Sequence, residues 1–362
     1  NSLLKLMQPA YFLFITILVV AASLVLSNQL PFARIEATLA DVRISQLARS
    51  EVVDPSIVIV AITEESLGNN LTLSPIDRRF LARLITAIGS AAPASIGLDI
   101  LFDRPTQPAS DHDFGEALGL LLVPLVMIGS PRPAAFERAI RAARRVASPA
   151  LNADGDDAVV RNFTERDRAG SLVLAASMIE ATGHLDTKSD FEIRFGLTPN
   201  GDLPFRIIPA HYLLANPSLA ATLKGQHILV GGIFNDNDRH LTPLRFAEGL
   251  PDRLPGVVVH AFQLRQLLGK TDRPSSLLWS ALLTALSAII GLVLGRSTLP
   301  LMIRSMVLLC SFAVLGLFGV ALFAVAHVMV SLVAIGIALV TATLAGFALE
   351  GTHRRAQIRS VR

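Results

Sequence analysis

The stretch Gly225–Leu268, GQHILVGGIFNDNDRHLTPLRFAEGLPDRLPGVVVHAFQLRQLL, decides how the rest of the chain is read. Its opening run, His227–Ile233, is short, apolar and closed by two glycines. Such a run predicts a strand buried on both faces, with room for another backbone or a ligand at its carboxyl end. A polar loop follows, Asn235–His240, closing on Thr242-Pro243. Pro255-Gly256 then opens the β-branched run Val257–Ala261, and Phe262–Leu268 reads as a helix. Strand, polar loop and second element form the arrangement in which α/β proteins place ligands, just outside the carboxyl ends of strands.

Outward from that stretch, composition sets the frame. The chain has 362 residues, of which 52% are hydrophobic and 17% charged. Its mean hydropathy of +0.54 is too high for an ordinary soluble protein. The excess lies at the two ends. A net charge of +3, with no basic stripe interleaved with aromatics, argues against a nucleic-acid partner. The single cysteine, Cys310, sits in an apolar run, so no intramolecular disulfide can form. A first residue of Asn rather than Met suggests a piece of a longer chain.

Four uncharged segments are long enough to span a bilayer, which takes roughly 20 helical residues. They are placed at residues 9–27, 276–295, 305–325 and 328–349, with 1–8 and 350–362 as flanking tails and 28–275 as the block between. A turn near His327 separates the last two. Arg296 and Arg304 mark one short loop, and Arg354, Arg355, Arg359 and Arg362 follow the last span. The positive-inside tendency therefore puts both termini in the cytoplasm and the 28–275 block outside, although Arg34, Arg43, Lys270 and Arg273 flank that block too. Small residues recur every fourth position, at Ala334, Ala338, Ala342 and Gly346, and likewise at Ser287, Gly291 and Gly295. Such stripes pack helices closely in lipid, either within one protomer or along a homodimer seam.

The outer block alternates strand and helix. Residues 34–49 have helical spacing and would carry the first span outward as a stalk. Ile57–Ile62 predicts a buried strand, with Thr63 and Glu64 at its end. Ser74-Pro75 looks like a helix start, Asp77–Ile88 presents one apolar face, and Gly89 ends it. Ser95–Phe102 is the second strand, and Asp99 within it is unusual. A carboxylate there must be solvated, hydrogen-bonded or paired, and Arg78 or Arg79 would serve. Asp103 and Asp111-His112-Asp113 read as loop, Phe114–Leu121 as helix, Leu122–Ile128 as strand and Ala134–Ala147 as a basic helix. Beyond Asn162 the expectation is a helix over Leu172–Thr182, an edge strand at Phe191–Phe195 and a short helix over Ile208–Ala215. The fold class is an α/β domain, its sheet mostly parallel or mixed with helices on both faces, plus four transmembrane helices, one N-terminal and three C-terminal.

This order of pieces resembles the CHASE2 family, the extracytoplasmic sensory domains of bacterial signalling receptors. The resemblance rests on IVIVAITEES at Ile57–Ser66, Asp77-Arg78-Arg79 with its helix, and Gly97–Phe102. It also rests on Asp111–Leu118, Asp154-Gly155 with Arg161, Leu229–Asp236, Thr242-Pro243 and Pro255–Ala261. Thr63 departs from it, since the family usually has Asp at the end of the first strand. The resemblance implies a periplasmic domain in the inner membrane of a bacterium, dimeric, sensing an unidentified ligand or protein partner. It implies relay through three spans to a cytoplasmic output, often an adenylate or guanylate cyclase. No output domain lies within these residues, so no catalytic residue is assigned.

Candidate ligand-binding residues are Glu64, Asp99, Asp236, Asp238 and His260, which would converge at strand ends if the sheet is parallel. Asn235–Asp238 starts like a calcium loop but lacks its glycine and closing glutamate, Ala247 standing at the twelfth position. Asn152, Asp154 and Asp156 share that weakness, so no metal and no cofactor is expected. Neither a nucleophile elbow nor a glycine-rich phosphate loop nor a CxxC pair occurs. The rival readings are a membrane-anchored adaptor that docks a periplasmic partner and a periplasmic metal-dependent hydrolase.

Overall fold

In the computed structural model the chain forms two compact units, Asn1–Ala48 with Arg273–Arg362, and Arg49–Asp272. The residues described are 2–68, 74–129, 145–153, 157–183, 190–269 and 276–360. The Arg49–Asp272 unit contains β1 (Asp54–Ile62), β2 (Ser95–Asp99), β3 (Leu125–Ile128), β4 (Arg145–Ala147), β5 (Asn162–Phe163), β6 (Phe191–Glu192), β7 (Phe205–Pro209), β8 (His227–Gly232), β9 (Arg239–Leu241) and β10 (Arg253–Pro255). The first unit begins with α1 (Ser2–Ser27) and α2 (Phe32–Leu47). The helices of the α/β unit are α3 (Glu64–Leu67), α4 (Arg78–Ser90), α5 (Pro108–Gly119), α6 (Leu174–Ala181), α7 (Ala210–Ala215), α8 (Pro217–Ala221) and α9 (Gly256–Leu267).

Six strands form one sheet in the order β4-β3-β2-β8-β1-β7, and every neighbouring pair is parallel. β8 inserts between β1 and β2, so that Ile57–Ile62 registers with His227–Gly232 and Ser95–Asp99 with His227–Gly231. A central strand with helices over both faces has no polar side, which is why β1 and β8 read as unbroken apolar runs. On one face Phe80, Leu84 and Ile88 of α4 and Phe114 and Leu118 of α5 pack on Val58, Val60, Leu98 and Val230. α6 and α9 cover the other.

Several sequence expectations change. Asp77, rather than Ser74, caps α4, its carboxylate accepting the Arg79 N–H at 2.8 Å, and the helix runs one residue past Gly89. α5 starts at Pro108 and takes in Asp111, His112 and Asp113, which were expected in a loop. Phe205–Pro209, expected to be partly helix, pairs with β1 because Ile207-Ile208 continue the sheet; the helix begins only after Pro209. Phe191–Glu192 pairs with β5 in a separate two-stranded sheet and is no edge of the main one. The basic helix expected over 134–147 lies outside the described residues up to 144, and 145–147 is strand β4. Val257–Ala261 is helical despite its β-branching: Pro255 is extended and α9 begins at Gly256. From Gly256 to Arg265 every residue is buried, and packing on all sides outweighs the weak intrinsic preference.

The ends of this unit are braced by buried charge. Arg265, near the end of α9, donates to Glu51 at 2.7 Å and lies 3.7 Å from Asp54, while Arg194 pairs with Glu51 at 3.2 Å. The segment by which the chain enters the sheet is thus tied to the helix by which it leaves.

The other unit adds α10 (Leu277–Arg296), α11 (Leu301–Ala326) and α12 (Leu332–Ser360) to α1 and α2. Four helices among the described residues, α1, α10, α11 and α12, are long and apolar enough to cross a membrane. His327 turns the chain after α11 in a left-handed conformation, φ 56°. The two small-residue stripes face each other inside the chain. A Cβ on Gly291 would lie 2.6 Å from the Leu339 carbonyl oxygen, and one on Gly346 would lie 2.7 Å from that of Leu292. Ala338 and Ala342 join Ala288 and Leu292 in this contact, and Phe12, Ile15 and Val19 of α1 pack against it. α2 is tied to α12 by polar contacts: Glu36 accepts from the Val333 N–H at 2.8 Å and the Ser331 hydroxyl at 2.9 Å. The same carboxylate pairs with Arg43 at 2.8 Å, and Arg43 also donates to the Val330 carbonyl at 2.8 Å. Glu36 thereby satisfies orphan donors at the start of α12, where the helix dipole favours a negative charge.

Because backbone faces Gly295 across the contact, with the Gly346 Cα 2.8 Å from where a Cβ would be, nothing there can rotate away. Gly295→Val is expected to cost about 1–3 kcal/mol. Gly316→Val, where a Cβ meets open space, should stay within about 0.5 kcal/mol of the parent. Thermal denaturation in detergent micelles checks the pair; equal effects would contradict the packing described.

Candidate functional site

A cavity of about 320 Å³ opens at the carboxyl ends of β2 and β8. Alternation along β2 decides what enters it. Ile96 and Leu98 face α4 and α5, so Asp99 faces the opposite way, toward α9. This is why the expected pairing of Asp99 with Arg78 or Arg79 does not form. Arg78 is instead buried beside Asp111 at 3.5 Å, donates to the Ile76 and Arg104 carbonyls at 3.0 and 3.1 Å, and lies 4.7 Å over the Phe102 ring. Burial lowers its pKa in spite of Asp111. Arg79 pairs with Asp113 on the surface at 3.2 Å.

The Asp99 side chain is only 5% exposed, and its Oδ2 has no hydrogen-bond partner among the described residues. His260 of α9 is buried beneath it, with Nε2 3.8 Å from Asp99 Oδ1, beyond hydrogen-bond reach. The His260 Nδ1 donates to Gln263 Oε1 at 3.0 Å, one turn along the helix. Nε2 is therefore the acceptor that faces Asp99. Asp238 comes from the loop after β8, in a left-handed conformation with φ 51°, which a short polar side chain tolerates. Its carbonyl accepts the Gly256 N–H at 3.0 Å, and its carboxylate accepts from His240 at 2.8 Å while standing at the N-terminus of α9. Arg239 staples the loop through the Phe234 carbonyl at 2.7 Å.

These positions set the charges. Burial, then the Asp238 charge, pushes Asp99 well above the usual carboxylate range. Burial works to raise Asp238 as well, but the hydrogen bond and charge of His240, with His260 and the Gly256 N–H, hold it below that range. Burial pushes His260 down to about 4, the Gln263 hydrogen bond offsetting only part of this. Burial thus favours the neutral forms of Asp99 and His260, while Asp238 is held toward its ionised form.

Of the five candidate residues, Asp99, Asp238 and His260 come together here. Glu64 stands at the start of α3 and accepts the Asn235 N–H at 3.1 Å, so it fixes the loop without lining the cleft. Asp236 lines an adjoining cavity of about 650 Å³ with Asp252 and Arg253. Thr63 caps α3, its hydroxyl accepting the Ser66 N–H at 3.3 Å. Sequence reasoning passed over His240 and Gln263. The first was legible as the alternate residue to Asp238 entering a strand, the second as the i+3 partner of His260. Among the described residues no three His, Cys, Asp or Glu side chains are grouped to hold a metal ion. Asp154 and Asp156 lie outside those residues. The cleft can accept donors and positive charge.

In comparison with known proteins, the CHASE2 domain family matches residues 15–296. No curated protein and no solved structure matches the chain.

Asp99 makes the unit pH-sensitive in a defined direction. Its folded pKa is raised, so the destabilisation it brings begins above the unfolded value of 3.8 and grows as pH rises. Asp99→Asn removes that penalty and is expected to raise Tm at pH 7.5, by about 2–4 °C for each kcal/mol recovered. The gain should vanish toward pH 4. Thermal melts of both chains across that range test it; a gain independent of pH would contradict a buried, neutral Asp99.

Proposed function

The chain belongs to the CHASE2 domain family, and from that premise we propose that it is a transmembrane signal receptor of a bacterial inner membrane. Its α/β unit stands in the periplasm and senses a signal in the cleft of Asp99, Asp238 and His260. Both termini are cytoplasmic, a reading supported by Arg296 and Arg304 between α10 and α11 and by the arginines after residue 350. The signal passes along α12 to an adenylate or guanylate cyclase domain beyond Arg362.

The observation that carries the proposal is the Glu36 contact. A receptor needs an element whose arrangement the signal can bias. α2 leads directly into the α/β unit and holds the first turn of α12 through one carboxylate. Arg265 ties the start of the α/β unit to α9, which precedes α10, so movement of α9 reaches both connections. The small-residue contact of α10 and α12 belongs to the folding of one protomer, and a homodimer would meet through other faces.

Cyclase activity of the protein that continues past Arg362, measured in membrane vesicles, tests the reading. Glu36→Gln keeps the side-chain shape but weakens its hold on Arg43 and on α12. It is expected to change the rate of cyclic-nucleotide formation by about fivefold or more with expression unchanged. A continuing chain without a catalytic domain would point to the adaptor and overturn the receptor.

A further inference from the structure

We propose that the cleft binds a compact organic monocation, a protonated amine on an apolar body, whose ammonium sits between Asp99 and Asp238. The proposal rests on reading the α/β unit as a sensor and names the chemistry of what it senses. A buried carboxyl oxygen without a partner is rare in folded proteins, and Asp99 Oδ2 is such an atom in a side chain 5% exposed at the cavity wall. A bound donor would complete it. Among the described residues the lining carries the carboxylates of Asp99, Asp103 and Asp238 and no lysine or arginine, so these side chains favour positive charge over negative.

The rest of the wall selects an organic cation over a metal. Ile76, Ile100, Ile128, Leu151 and Phe234 are apolar and offer no ligands to a hydrated ion. Calcium takes six to eight oxygens, whereas among the described residues the cleft offers the carboxylate of buried Asp99 with those of Asp238 and Asp103 at its exposed rim, the Asp238 side chain being 51% exposed. His260 has committed Nδ1 to Gln263. With a water's share of the liquid at about 30 Å³, a 320 Å³ cavity holds on the order of ten non-hydrogen atoms. The proton balance is simple. The ammonium enters with its three protons, the proton on Asp99 passes to water, and the ionised carboxylate pairs with the ligand.

Isothermal titration of the full chain in lipid nanodiscs with cyclohexylmethylammonium chloride tests this. One site is expected per chain, weakened about tenfold or more by Asp99→Asn and by Asp238→Asn, since each removes one of the two charges. The heat should vary with buffer ionisation enthalpy, reporting proton release in the parent chain and none in Asp99→Asn. Cyclohexylmethanol and calcium chloride should not bind. Equal affinity in Asp99→Asn, equal affinity for the alcohol, or occupation by calcium would overturn the proposal. So would binding of N-acetyl-lysine methylamide alone, which would reassign the cleft to a protein's lysine. If the amine fails to bind while Glu36→Gln still alters cyclase output, only the ligand class falls; loss of both removes the sensor reading.

Discussion

The approach of α9 to β8 at Gly231 is the contact on which the cleft depends. A Cβ at this position would lie 2.7 Å from the Val257 Cβ and 3.2 Å from the Asp99 Cβ, so even alanine must push the helix off the sheet. Only because the strand is bare here can the first turn of α9 rest on it. That places His260 under Asp99 and delivers the helix N-terminus to Asp238. The burial of Asp99 and His260 depends on this close approach. A shift of α9 by a fraction of an ångström would alter the burial of the two at once, which makes the helix both the floor of the cleft and a responsive part of it.

Much of this architecture was readable from period and composition. The apolar runs at β1 and β8 announce strands covered on both sides, and uncharged segments of roughly 20 residues announce spans. The small-residue stripes named the α10–α12 contact before its partner was known, since every fourth residue shares a helix face. Two kinds of information were hidden. Val257–Ala261 looks like a strand because β-branching is a local property, while its helical state comes from burial on all sides. The facing of Asp99 was hidden too, although alternation along β2 fixes which residues share its side. What the sequence lacks is the knowledge that α4 covers one face and α9 the other, and with it the choice between Arg78 and His260 as the neighbour.

Three buried ionic contacts sit where the chain changes direction or leaves a unit. Arg78 with Asp111 joins two helices on one face of the sheet, Arg265 with Glu51 and Asp54 joins the two ends of the α/β unit, and Glu36 with Arg43, both on α2, forms the pair from which hydrogen bonds reach Val330, Ser331 and Val333 at the start of α12. Buried pairs contribute little net stability over apolar packing, because desolvation offsets most of the attraction. Their geometry is demanding, and a chain that must hold specific junctions gains register from them. Asp99 is the exception, a buried carboxyl without a countercharge, and its isolation sets it apart from the structural pairs.

α12 runs without a break from Leu332 to Ser360, 29 residues with no proline among them. At about 1.5 Å per residue that is a rod about 43 Å long, held at its first turn by a carboxylate of α2. Such a rod stretches very little, so its low-energy responses are to slide or to turn as a whole. A turn applied at Val333 arrives at the far end with its angle preserved, displacing a side chain there in proportion to its distance from the axis. A rod of this kind transmits torque more readily than pulling.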